Sequence, residues 1–182
     1  MKIDRRHFLQ SALLTGAALA TIRLPVLGRM AEATLPTPAE FPWLEATIAQ
    51  LQAAMERGEL TAVALTQAYL ARIAQLDHAG PKLNAIIEVN PEALELAALA
   101  DRERAAGNLR GPLHGIPVLV KDNVDTADRM RTTAGSLALL GSKPRQDATV
   151  VARLRAGGAV LLGKTNLSEW ANFRSTRSIS GW

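Results

Sequence analysis

The chain has no cysteine, so disulfides and thiolate metal sites are excluded. Aromatic residues make up only 4% of it. No basic stripe interleaves with them, so nucleic-acid binding is not expected. The histidines His7, His78 and His114 are far apart and form no metal-ligand cluster. Long apolar runs are also missing. The stretch from Ser11 to Ile22 is too short for a membrane span, and Arg23 interrupts its far flank.

What is present is globular composition: 182 residues, 48% hydrophobic and 21% charged, enough for one ordinary domain. The net charge of +4 is concentrated at the start. Within residues 1–33, Lys2, Arg5, Arg6, Arg23 and Arg29 outnumber Asp4 and Glu32. A basic start, a mildly apolar run and Ala31-Glu32-Ala33, a small-x-small cleavage site, make three parts of an export signal. Arg5-Arg6 followed by His7-Phe8-Leu9-Gln10 resembles a twin-arginine signal, with Asp4 where Ser or Thr is usual. That resemblance implies the twin-arginine translocation machinery as a partner and a periplasmic or secreted location. Residues 34–42 hold three prolines and read as a linker.

The rest reads as alternating helices and strands. Leu44, Ile48, Leu51 and Met55 recur at helical spacing, and Gly58 ends the run. Thr61 is placed to cap a second helix, with Leu65, Tyr69, Ile73 and Leu76 on one face. NAIIEV, residues 84–89, is a strand candidate, and Asn90-Pro91 starts a helix that closes at Gly107. Ile116 to Val120 forms a buried strand. A long loop carries Thr132-Thr133-Ala134-Gly135-Ser136. Asp147 then caps a helix that stops at Gly157-Gly158, and Ala159 to Leu162 forms another strand. Strand, helix-containing crossover and strand predict a parallel pair in an α/β sheet.

GAVLLGKT, residues 158–165, spells the phosphate-loop pattern. A phosphate loop needs a strand, then glycine-rich backbone, then a helix. Here a helix stop precedes an apolar strand, so the order is wrong and nucleotide binding is not expected. Lys121 is a stronger candidate. It ends the run IPVLV, sharing a face with Leu119 and Pro117, opposite Val120 and Asp122. Open α/β sheets hold ligands at the carboxyl ends of their strands. Partial burial there would favour a neutral amine able to act as a base. The plainer alternative is a solvated strand end, or an ion pair with Asp122, Asp125 or Asp128.

GPLHGIPVLVKDNVDT, then TTAGS, then DATVVARLRAGGAVLLGKTNLSEWA resemble, in order and spacing, the first half of the amidase signature family. The resemblance covers roughly residues 43–182. It implies an α/β fold with a mixed β-sheet sandwiched by helices. It also implies hydrolysis of C–N bonds in small-molecule or peptide amides by a Ser–cis-Ser–Lys triad, without metal or organic cofactor. The catalytic lysine falls on Lys121. GKTN is implied to end a core strand and help frame the substrate pocket. The resemblance places both catalytic serines beyond Trp182. Ser175, Ser178 and Ser180 lack the flanking glycines of that motif and read as loop serines. The chain is therefore expected to be the N-terminal portion of an amidase domain, inactive alone. The alternative is a non-catalytic binding or assembly module built on a half fold.

Overall fold

The structure, a computed structural model, describes residues 41–172 and Arg177. The export signal, most of the linker, and Ser175, Ser178 and Ser180 lie outside the described residues.

Helix α1 spans Ile48–Glu56 and opens with a capping box. Thr47 Oγ1 accepts from the Gln50 N–H at 3.2 Å, and Gln50 Oε1 accepts from the Thr47 N–H at 2.8 Å. Its buried residues are Leu51, Ala54 and Met55, whereas Leu44 and Ile48 of the expected stripe are exposed. Helix α2 spans Ala62–Arg72, and Thr61 caps it as expected through the Ala64 N–H at 3.0 Å. A second cap comes from afar: the Asp101 carboxylate accepts from the N–H groups of Ala62 and Val63 at 2.7 and 3.0 Å. A negative group is stabilising at this end of a helix. A π-helical turn, Ile73–His78, follows α2 and buries Asp77. That carboxylate takes the N–H groups of Ala85 at 2.6 Å and Ile86 at 3.1 Å, fixing the entry to strand β1, Ile86–Val89.

Helix α3 spans Ala93–Ala105, so Pro91 sits in the preceding turn rather than at the first helical position. Asn90 sets that geometry. Its Oδ1 accepts from Glu92 N–H at 2.9 Å, while its Nδ2 donates to Leu161 O at 2.7 Å. Strand β2 is Pro117–Lys121, helix α4 is Thr149–Ala156 and strand β3 is Val160–Thr165. Asp147 is not the cap of α4. Its side chain instead accepts from Ala127 N–H at 2.6 Å and from Arg155 Nε at 2.9 Å.

Strand β3 is central in the order β1-β3-β2, antiparallel to β1 and parallel to β2. The parallel pair expected from the crossover is there, and the antiparallel partner makes the sheet mixed. Val160 and Leu161, successive in β3, feed two separate apolar clusters, as strand alternation requires. Val160 joins Leu51 and Met55 of α1, Leu65 of α2, and Ala97 and Ala100 of α3. Leu161 joins Val120, Met130 and Val151 of α4. Helices thus cover both faces of the sheet, an α/β layering.

Candidate active site

Lys121 is the last residue of β2, paired with Thr165 of β3. Its neighbours on the opposite face, Val120 and Asp122, are buried, while Lys121 is exposed. The alternation read from IPVLVKD therefore holds, and of the two readings of Lys121 the described residues show the solvated strand end. Among the described residues its ammonium has no hydrogen bond and no ion pair. Two of the acids that could have neutralised it are engaged elsewhere. Asp122 accepts from the Thr133 N–H at 3.2 Å and from the Thr133 hydroxyl. Asp128 accepts from Arg155 at 2.6 Å.

Directly behind Lys121 lies a buried polar network. The Lys121 carbonyl accepts from Val124 N–H at 2.9 Å, closing a tight turn. Lys164 Nζ donates to Val124 O at 2.8 Å and to Thr132 Oγ1 at 2.9 Å. Ala134 N–H donates to Asp122 O at 2.9 Å. The TTAGS segment is thereby held against the end of β2. Ser136 Oγ then donates to Glu169 Oε1 at 2.7 Å, tying that segment to the chain after β3. Lys164 is 0% exposed. Burial pushes its ammonium below the ordinary lysine value, with Asp122, Asp128, Glu88 and Asp125 opposing the shift.

GKTN ends the core strand β3 as expected, but the Lys164 side chain itself is buried inside the layer. The residues of GAVLLGKT also have structural duties that exclude a phosphate. Residues 160–165 are sheet, with neighbouring strands on both sides. Gly158 has φ +83, and a Cβ there would lie 2.6 Å from His114 Nδ1. A Cβ on Gly163 would lie 2.5 Å from Glu88 O, on the backbone of β1. Sequence reasoning missed the roles of Lys164, Thr132 and Asp122. The available signal was a lysine embedded among apolar strand residues, which burial requires to be bonded.

A small cavity of about 90 Å³, lined in part by Leu99, Glu103, Arg110 and Ala159, includes neither Lys121 nor Lys164. Among the described residues no group of His, Asp and Glu could hold a metal ion. The chemical possibility centres on one unencumbered amine at the carboxyl end of a parallel strand, backed by an ordered polar network.

A mixed sheet between helices, with a lysine at the carboxyl edge of a parallel strand, defines an α/β protein. The family model for amidases matches residues 64–181, and the chain belongs to the amidase family. The native peptide amidase from Stenotrophomonas maltophilia has a similar structure, with TM-score 0.74 and 63% sequence identity over 78% of this chain and 29% of that one. A probable amidase of Arabidopsis thaliana is 51% identical over 144 residues, which is 78% of this chain and 28% of the relative. A putative amidase of Schizosaccharomyces pombe is 51% identical over 138 residues, 76% of this chain and 23% of the relative. The chain therefore spans roughly a quarter of the length of these relatives.

Proposed function

We propose that this chain is the lysine-bearing part of an amidase that hydrolyses C–N bonds of small-molecule or peptide amides, with Lys121 as the base. The observation carrying this reading is Lys121 itself: exposed at the carboxyl edge of β2, unpaired among the described residues, and backed by an ordered turn. The 63% identity to a peptide amidase favours a peptide or simple carboxamide as substrate.

In the reaction, the Lys121 amine takes a proton, through a bridging serine, from a nucleophilic serine. The serine oxygen attacks the amide carbonyl, and backbone N–H groups stabilise the oxyanion. The C–N bond breaks as Lys121 returns that proton through the bridging serine to the nitrogen, which leaves as ammonia or amine, and an ester acyl-enzyme remains with the relay restored. Water, deprotonated by the same relay, attacks the ester and releases the acid. Arginine could not serve, because it stays protonated. Both serines belong to the whole amidase rather than to the described residues. A triad acts as a unit, so the chain alone is expected to be inactive.

The test is ammonia release from a C-terminally amidated dipeptide. The whole amidase carrying this chain is expected to turn over, and Lys121→Ala to lose at least about a thousandfold in kcat. Turnover that survives Lys121→Ala would overturn the assignment. Robust turnover by residues 1–182 alone, sensitive to Lys121→Ala, would overturn the division of the triad. Residues 1–33 are proposed as a twin-arginine signal that sends the folded protein to the periplasm. Replacing both Arg5 and Arg6 with lysine is expected to retain the protein in the cytoplasm, and unchanged export would reject this route.

A further inference from the structure

We propose that Lys164 is a positioning residue for Lys121: from inside the layer, it fixes the turn on which the base is carried. The inference rests on Lys121 being the base. It starts from a cost. A fully buried ammonium is unfavourable unless it is bonded, and an apolar residue of similar length would pack at that position without the penalty. Lys164 is nonetheless inside β3, paired with Val120 and therefore one residue from Lys121 across the sheet.

Its two acceptors show what the charge holds. Val124 O, at 2.8 Å, belongs to the residue whose N–H closes the turn on the Lys121 carbonyl. Thr132 Oγ1, at 2.9 Å, opens the segment whose next residue, Thr133, binds the Asp122 carboxylate. Lys164 thus joins the residue three after Lys121 to the segment that braces Asp122, the residue immediately after it. Strand alternation puts the Lys164 side chain, like that of its partner Val120, on the face opposite the Lys121 side chain. Lys164 therefore touches no substrate and acts only through the backbone of residues 121–124.

A base displaced by a fraction of an ångström loses rate without losing substrate affinity, since the chemical step is the one that needs alignment. Two variants test this in the whole amidase. Lys164→Met keeps the stem and removes the donors. Thr132→Val keeps the shape and removes one acceptor, and serves if the first variant does not fold. Both are assayed well below their unfolding temperatures, on amidated dipeptide, with kcat, KM and the pH profile of kcat recorded. The expected result is a fall in kcat of about ten- to a hundredfold with KM within about twofold. The acid limb of the kcat profile is also expected to move. A loss of folded protein alone scales the profile without moving its limb. Unchanged kcat and an unmoved limb, with only a lower Tm, would overturn the inference and leave Lys164 as a stabilising residue. Inactivity of the folded wild-type enzyme on all amides would instead overturn the reading of Lys121, and this inference with it.

Discussion

Lys164 holds its amine where water does not reach, and this makes the stability of the fold depend on pH below the ordinary lysine value. Burial lowers the native proton affinity, and the surrounding carboxylates only partly restore it. On unfolding, the side chain regains the ordinary lysine value of about 10.4. Between the depressed native value and that one, the unfolded chain binds more protons. Stability conferred by this site therefore rises as pH rises through the window. Denaturant unfolding of wild type and Lys164→Met at several pH values up to about 10.5 checks the sign. The stability of wild type relative to the variant is expected to increase with pH. A flat or falling difference would show that Lys164 is not held with a depressed affinity. Tyr69, pushed up by burial, adds a slope of opposite sign, but it is common to both proteins and cancels. The two lysines also show what could be read from residues alone. Both interrupt apolar runs. Lys121 was legible because strand alternation puts it opposite Val120, whereas the environment of Lys164 depends on its register against β2 and on a loop some thirty residues earlier. No local pattern encodes that partner, and the spelling GKT pointed toward phosphate instead.

At the scale of elements, starts and stops were legible where side chain and backbone act within a few residues. Thr61 and Gly157-Gly158 behave as read. The α4 stop is a Schellman motif, with Ala159 N–H bonded to Leu154 O at 3.0 Å and Gly158 N–H to Arg155 O at 2.9 Å. Distant bonds were not legible. Asp147 looked like a cap but is drawn away by Arg155 and Ala127, and the actual second cap of α2 is Asp101, on α3. These junctions differ in what a substitution should cost. Asp101→Ala is expected to destabilise the fold by about 1–2 kcal/mol, through two orphaned N–H groups and a lost favourable charge at the helix start. Gly158→Ala is expected to cost more, about 2–4 kcal/mol. It adds a left-handed backbone penalty to a Cβ placed 2.6 Å from a buried histidine. Urea midpoints of the two variants, made in the whole amidase, measure both. If Gly158→Ala were the milder change, the close packing of His114 against the α4 stop would be wrong.

The whole molecule combines a well-packed interior with surfaces of the kind normally buried. Among the described residues, β1 and β2 each have strand pairing on one side only, through the central β3. Leu44, Leu83, Leu109, Leu137 and Trp170 are more than half exposed. Unpaired strand edges and apolar surface promote association between chains. The chain also spans only about a quarter of the length of its relatives. The two core clusters are expected to hold the layered arrangement together, but not to make the isolated chain a well-behaved monomer. Residues 41–182 produced alone should bind a hydrophobic dye, elute as mixed oligomers and unfold over a broad range. The peptide amidase, as the positive control, should do none of these. The alternative, a self-sufficient binding module, requires the reverse: one sharp elution peak, little dye binding and a cooperative transition whose calorimetric and van't Hoff enthalpies agree. That result would show that the described layers are enough by themselves. It would shift the chain from the lysine-bearing part of a catalyst to a domain in its own right.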